Sequence, residues 1–379
     1  MNSPLAAVER HRPGVTTKSW LLLLLCSALT TVPLASAECE CGYTLNYDAG
    51  KPVFFTDLLE SNFEKMTAIG LRKNTDWRPQ EYNASARNSR GPLGQMTDPR
   101  NVELVPSSDF EPRKPALKLG VDHLVVNGMV SGAEIVSARG DIMQGTFSAS
   151  LKVSDVPGTC QAFFWYFNNT QEIDMEFLSK EFDNSNRSWP VNIVLHTRVT
   201  MRTGYNPNHW KVLLPYNPAE DYHVYRIDYL ENRVEFYMDD IPLLQQLRNP
   251  RIAVPTAPGH LVLSHWSNGD DNWSGGPPLK DADMLVRWVK AYFNSSNPER
   301  HSDWHDRCGE FTHEKLCVIP SADLTRSKET GRGQDWFYTE HEGFANNQTY
   351  FGNAAPRQQQ GWSTLQMIIM VVAWIWVIG

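Results

Sequence analysis

The sequence predicts an all-β protein, a two-sheet sandwich or jelly roll, and three observations lead there. From residue 117 onward, apolar and polar side chains alternate over stretches of 7–11 residues, the pattern of half-buried strands. Short turn segments separate these stretches. No convincing amphipathic helix of useful length interrupts them. Two packed sheets bury one face of each and leave the other free, and a curved free face makes a groove.

Taken in order, residues 144–154 alternate first. Residues 160–167 are apolar on both faces, and Asn168-Asn169 turns the chain into a second arm starting at Gln171. Residues 191–196 put Val191, Ile193 and Leu195 on one side and Asn192, Val194 and His196 on the other. Residues 222–230 and 233–239 flank Glu231-Asn232, a tight hairpin turn. Residues 259–268 and 284–293 complete the series. No linker or internal repeat is visible from 38 to 293, which reads as one domain.

The arm beginning at Gln171 carries the chemistry. Gln171-Glu172-Ile173-Asp174-Met175-Glu176-Phe177 puts Ile173, Met175 and Phe177 on one face and three carboxylates on the other. Like charges this close repel, so a purely structural strand rarely adopts the pattern. A site that needs one ionised and one protonated carboxylate does. At average residue frequencies, Glu-x-Asp-x-Glu arises by chance about 0.07 times in a chain this long. On the string alone, a solvated acidic edge strand or a calcium site remains an alternative.

Both ends carry targeting patterns. Arg10, Arg12 and Lys18, an apolar core at 20–29 and Ala35-Ser36-Ala37 make residues 1–37 an expected cleaved secretory signal. Residues 365–379 are apolar and uncharged, behind a polar spacer at 356–364 and the small residues Asn353, Ala354 and Ala355. That is the pattern of a GPI-anchor signal over 354–379, with attachment at Asn353. Sequons at Asn83, Asn168, Asn186, Asn272, Asn294 and Asn347 fit a secreted glycoprotein anchored at the cell surface or wall. Cys26 leaves with the signal. Cys39, Cys41, Cys160, Cys308 and Cys317 match no zinc spacing. Cys308 can pair with Cys317, or Cys39 or Cys41 with Cys160 or the C-terminal segment; one of the five is left over or pairs with another molecule.

Net charge is −8 and no basic stripe is visible, so nucleic acid is not an expected partner. A monomer is expected. Residues 294–353, with His301, Trp304, His305, His313 and two cysteines, read as a Cys-containing extension and stalk rather than a metal site.

Several landmarks together resemble glycoside hydrolase family 16. They are Gly145-Thr146-Phe147 through Gly158-Thr159, Ala162-Phe163-Phe164-Trp165 and Glu172-Ile173-Asp174-Met175-Glu176. Residues 225–229 with 234–239, and then 284–292, follow in the family's order. The resemblance covers roughly 117–293. It implies a concanavalin A-like β-jelly roll of two antiparallel sheets with a glycan-binding groove, acting on β-linked glucans.

By the same resemblance, Glu172 is the nucleophile, Glu176 the general acid/base, and Asp174 the assisting residue between them. A retaining glycosidase needs two carboxyl groups about 5–5.5 Å apart. Alpha carbons four apart on a strand lie about 13 Å apart, so the carboxyls must lean inward. Sugars stack on aromatic rings, which makes Trp165, Trp210, Trp266 and Trp273 candidates, with Trp165 and Trp266 the best placed and Trp273 in a Gly/Pro-rich loop, 269–278, that shapes one end of the groove. His196 borders the acidic cluster if the outward faces coincide, and is otherwise a hydrogen-bonded structural histidine. No cofactor is expected beyond a conceivable structural calcium. Three functions follow: a retaining glycosidase on β-1,3- or mixed β-1,3/1,4-glucan, a transglycosylase cross-linking glucan or chitin, and a non-catalytic surface lectin.

Overall fold

A computed structural model describes residues 39, 41–45, 53–106, 114–196, 208–248, 254–309, 316–319 and 336–340, all in the unit that runs from Ala37 to Gly379. The expected export and anchor signals, Asn347, Asn353 and His313 lie outside the described residues.

The chain begins with β1 (Tyr43–Leu45), β2 (Val53–Phe55) and β3 (Asp57–Asn62). A five-residue helix, α1 (Ala68–Arg72), leads to β4 (Trp77–Pro79) and β5 (Tyr82–Ala84). A one-turn helix, α2 (Ala86–Ser89), precedes β6 (Gly94–Thr97), β7 (Val102–Pro106), β8 (Pro115–Val121) and β9 (Val125–Val126). The long strands follow: β10 (Met129–Ser137), β11 (Ile142–Lys152), β12 (Cys160–Asn168), β13 (Gln171–Leu178) and β14 (Pro190–His196). Then come β15 (His209–Leu213), β16 (His223–Leu230), β17 (Arg233–Met238) and β18 (Ile241–Leu247). Next are β19 (His260–Trp266), β20 (Ala282–Ser295), α3 (Pro298–Cys308) and β21 (Cys317–Val318).

Two large sheets result. One runs β15-β14-β13-β12-β19-β10-β6-β5, with β4 and β9 beside β10. The other runs β18-β17-β16-β11-β20-β8-β7, with β3 beside β20. Pairing in both is antiparallel except between β6 and β10. The inner faces share one core. Trp165 and Phe177 of the first sheet meet Tyr229 and Tyr225 of the second at ring separations of 5.2 and 4.8 Å. Ile173, Met175, Phe147, Ile227 and Val289 fill the space between. Each such side chain contributes roughly 1.5–3 kcal/mol by leaving water. This is the expected jelly-roll sandwich, and the hairpins at 168–169 and 231–232 fall where the sequence places them.

A third sheet, β2-β1-β21, is absent from the sequence expectation. It lies on the outer face of the second large sheet, where Tyr43 packs on Tyr292 (5.0 Å) and Tyr338 (5.2 Å). Two disulfides fasten it, Cys39–Cys317 and Cys41–Cys308, and Cys160 stays free and buried. Of the open pairings, the structure selects N-terminus to C-terminal segment. The stalk expectation is corrected for the described part of 294–353. Helix α3 is capped by Asn297, whose side chain accepts from Glu299 N at 2.9 Å, and Pro298 starts its first turn. Trp304 Nε1 donates to Cys41 O at 3.0 Å, and Arg300 pairs with Asp57, so the helix is docked on the body.

Asn83, Asn186 and Asn272 are exposed. Asn294 is half-buried, with its side chain accepting from Thr56 N and donating to Phe54 O.

A disulfide restrains the unfolded chain, and the loop closed by Cys41–Cys308 is long. Replacing both cysteines by alanine is expected to lower unfolding free energy by about 2–4 kcal/mol. Denaturant titration of the double variant against the parent checks this; an unchanged midpoint would mean the bridge adds nothing to stability.

Candidate active site

Period two places the site. Strand β13 sends Ile173, Met175 and Phe177 into the core at 0% exposure and turns Glu172, Asp174 and Glu176 to the opposite face. All three carboxyl side chains line one cavity of about 170 Å³. Register completes its floor. Ala162 sits opposite Glu176, Phe164 opposite Asp174 and Tyr166 opposite Glu172. One strand further, Ser264 faces Ala162. The small Ala162 and Ser264 leave room beside Glu176. Glu134 of β10 and Tyr82 of β5 close the far wall, with Tyr82 OH donating to Glu134 Oε2 at 3.3 Å.

A larger cleft of about 570 Å³ adjoins this cavity, sharing Gln95, Glu176 and Trp266 with it. His196, His209, Arg90, Asp270 and Trp273 line the rest. His196 stands opposite Glu172 in register, with Nε2 at 3.7 Å from Asp174 Oδ2 and 3.9 Å from Glu172 Oε2. The expectation that it borders the acidic cluster therefore holds.

Trp273 is placed by backbone proximity. Gly276, at φ +95°, passes so close to Gly158 that a Cβ there would meet Gly158 O at 2.4 Å. Gly158, at φ +106°, faces Gly276 in the same way, so only glycine fits at either position. Ser267 Oγ donates to Gly275 O at 3.2 Å, and Asn268 Oδ1 accepts from Ser274 Oγ at 2.8 Å. The loop is thereby pressed over the end of β12, and Trp273 lines the same cleft as Glu176. Its ring lies 5.3 Å from that of His209.

Burial dominates the electrostatics. Glu172 is pushed up to about 8, first by desolvation and then by the charge of Glu176; Arg90 opposes this. Glu176 rises to about 7 through desolvation, against hydrogen bonds from Cys160 and Trp273. Asp174 is held well above the usual carboxylate range, by desolvation and by both glutamates. Its contact with Glu172 acts in opposite directions on the two, raising Asp174 and lowering Glu172. Glu134 is likewise raised to about 7 by burial. His196 is lowered by burial and by Arg90, which keeps it neutral.

Glu172, Asp174 and His196 each offer a potential metal-ligand atom, all within 4.8 Å of one another. Calcium takes six to eight oxygens, and this trio, with an imidazole among three groups, does not supply that set.

Not every expected residue lines the groove. Trp266 and Trp273 do. Trp165 does not: it is 0% exposed, packed on Tyr229, with Nε1 donating to Ile142 O at 3.1 Å. The correction follows from parity. Trp165 pairs with Ile173, an inward residue, so it points to the core, while Ala162 and Phe164 share the groove face. Trp210 packs against the core edge. Sequence reasoning missed Phe164, which parity alone would have found. It also missed Glu134, Tyr82, Arg90 and Cys160, whose places depend on non-local pairing.

Residues 103–290 match the family model of glycosyl hydrolases family 16. The chain carries a domain of glycosyl hydrolases family 16. It is 27% identical over 157 residues to a β-glucanase of Bacillus licheniformis, covering 38% of this chain and 58% of that protein. It is 25% identical over 161 residues to the Crh-like protein UTR2 of Candida albicans, covering 41% of this chain and 32% of that one. It is 28% identical over 199 residues to xyloglucan endotransglucosylase protein 34 of Populus tremula x Populus tremuloides, covering 51% and 62% respectively. The chain spans about half the length of the first curated relatives it matches, 45% and 58% of two β-glucanases. The solved structure of an endo-β-1,3-glucanase from Pyrococcus furiosus superposes with a TM-score of 0.49 at 16% identity, over 67% of this chain and 99% of that one.

Raised carboxyl pKa values couple pH to stability. From the ordinary value of 4.5 up to about 8, the folded state binds more protons than the unfolded state, so stability falls as pH rises through that window. Glu176→Gln relieves a buried group of its charge. At pH 8 this variant is expected to be more stable than the parent by roughly 1–3 kcal/mol, and near pH 4.5 the two are expected to match. Thermal melts at both pH values test this; equal midpoints at pH 8 would show that Glu176 titrates normally.

Proposed function

We propose that the protein is a retaining glycosidase acting on β-linked cell-wall polysaccharide, a β-1,3- or mixed β-1,3/1,4-glucan, through a covalent glycosyl-enzyme intermediate. One observation carries the reading: three carboxyl groups of a single strand line one cavity, and each is pushed upward by burial. A lectin gains nothing from burying three carboxyls beside its ligand. The β-glucanase named among the relatives supports the substrate class.

In the proposed cycle Glu172 attacks the anomeric carbon while Glu176 protonates the leaving oxygen. Glu176 then takes a proton from the incoming hydroxyl, and Glu172 departs. Asp174 keeps its proton and donates to Glu172, which holds that carboxylate in place and favours its charged form. Phe164, Trp266 and Trp273 offer apolar faces for sugar rings. A second reading, transfer of the glycosyl group to a sugar hydroxyl instead of water, uses the same groups and is favoured by the endotransglucosylase among the relatives. Around this chemistry we place an export signal at 1–37, a lipid anchor attached at Asn353, glycans at the exposed sequons, and a monomer working on the wall beside it. No cofactor takes part.

Purified protein incubated with laminarin and with lichenan is expected to release new reducing ends. Transfer of label to an oligosaccharide acceptor without new reducing ends would favour the second reading. Glu172→Gln and Glu176→Gln should each cut the rate by roughly 10²–10⁴. Near-parental activity in either variant would sink the role assignment, and binding without turnover would leave a lectin.

A further inference from the structure

Cys160 is chemically out of place. It is the one free cysteine among the described residues, it is fully buried, and it stands on the groove face of β12 rather than the core face. Its parity is that of Ala162 and Phe164. Its neighbour across β13 is Leu178, one diagonal step from Glu176, and across β19 it is Trp266. Sγ lies 3.4 Å from Glu176 Oε1. Trp273, carried by the glycine-pressed loop, lines the cleft beside the same carboxyl group.

We propose that Cys160 and Trp273 are positioning residues, two donors that clamp the Glu176 carboxyl in the orientation from which it protonates the leaving oxygen. This rests on the reading of Glu176 as the acid/base. In the proposed clamp both groups donate to the carboxyl. The thiol is held far above its ordinary range by burial and by the neighbouring carboxylates, so it stays S–H and offers no negative charge. An indole N–H has no acceptor lone pair. A donor steadies a carboxylate without carrying charge into the site, which a lysine or arginine at the same place would do. A donated hydrogen bond also favours the ionised carboxyl, so the clamp opposes desolvation and keeps Glu176 near neutrality instead of permanently protonated.

The groups that face Glu176 come from several elements. On its own strand are Asp174 and Glu172; from β10, Glu134; from β14 and β15, His196 and His209. Arg90 follows α2, and Asp270 precedes Trp273 in its loop. Among the described residues none of these donates a hydrogen bond to Glu176, whereas Cys160 does. The remaining groups set the field; the clamp sets the geometry.

The test uses Cys160→Val, which keeps the bulk and loses the donor, Cys160→Ser, which keeps a donor, and Trp273→Phe, which keeps the ring and loses the N–H. The first readout needs no turnover: carboxyl ¹³C NMR titration of Glu176, assigned by its absence in Glu176→Gln. The midpoint is expected near 7 in the parent. It should rise by about half a unit or more in Cys160→Val and in Trp273→Phe, with Cys160→Ser close to the parent. The second readout is kcat/KM on an unactivated glucan against an aryl glycoside whose leaving group needs no acid. Cys160→Val and Trp273→Phe should lose about tenfold on the glucan and less than twofold on the aryl glycoside. An unmoved midpoint in both donor-less variants, or equal losses on both substrates, overturns the proposal. A parent that turns over neither substrate overturns the glycosidase reading instead, and the titration still judges whether the two donors hold Glu176. If Cys160→Val does not fold, Trp273→Phe and Cys160→Ala carry the same measurements.

Discussion

Burying three carboxyl groups along one strand is the constraint on which the rest of this structure depends. A carboxylate taken out of water without compensation is strongly disfavoured, and three neighbours compound the cost. The strand survives because its other face is as favourable as this one is costly. Ile173, Met175 and Phe177 are fully buried in the shared core, and Phe177 packs edge-on against Tyr225. The upward-shifted acids are the visible residue of that balance. Glu176 thereby holds a proton at a pH where an exposed acid would not, which is the state a proton donor requires, while the contact with Asp174 pulls Glu172 the other way, toward the charged form that its attack requires.

The surroundings are arranged to hold these groups without neutralising them. Arg90 is the cation whose charge opposes the rise of Glu172, and it stands at the end of α2 in a left-handed conformation. Its loop is fastened to the far rim, where Asn268 Nδ2 donates to Ser89 O at 2.7 Å and Leu93 N donates to Asn268 O at 2.9 Å. The same Asn268 accepts from Ser274 in the loop that carries Trp273. One asparagine thus couples the two loops that bring a cation and an indole to the acid cluster from different elements. His196, kept neutral by burial and by Arg90, adds no positive charge of its own.

Much of this was legible in the sequence, and the limit is set by range. Alternation fixed which face of β13 is acidic and where the two hairpins turn, because period two is a local property of strands. The landmark motifs then named the family. The same rule applied to β12 would have sent Trp165 inward with Ile173 and left Phe164 in the groove; the error came from weighing residue type above parity. The short early strands, the parallel β6–β10 contact and the third sheet were not legible, since two- and three-residue strands hold too few side chains to show a period. Helix α3 starts at Asn297-Pro298, a cap the sequence reading did not use, and lies in a polar segment without an apolar stripe of useful length. The odd count of five cysteines showed that one is left over, without showing that it is Cys160. Only the pairing of β12 with β13 and the close approach of Gly158 to Gly276 show what it touches.

The placement of the disulfides follows from the same balance. Both bridges lie on the third sheet and α3, against the outer face of the β20 sheet, the opposite side of the sandwich from the carboxyl groups. A site that stores unfavourable electrostatics cannot also be the source of stability, because any group that relaxed it would remove the raised acids. Stability has to be supplied elsewhere and transmitted through a stiff body. The β11–β20 pairing, which runs along most of both strands with two register shifts, joins the disulfide-tied outer layer to the core beneath β13. Cross-links placed in the groove would have had to share space with a polysaccharide. Placed behind the second sheet, they restrain the unfolded chain at no cost to the opening. The division leaves one thiol on the groove side, unpaired and protonated, where an oxidised partner would have blocked the acid it touches.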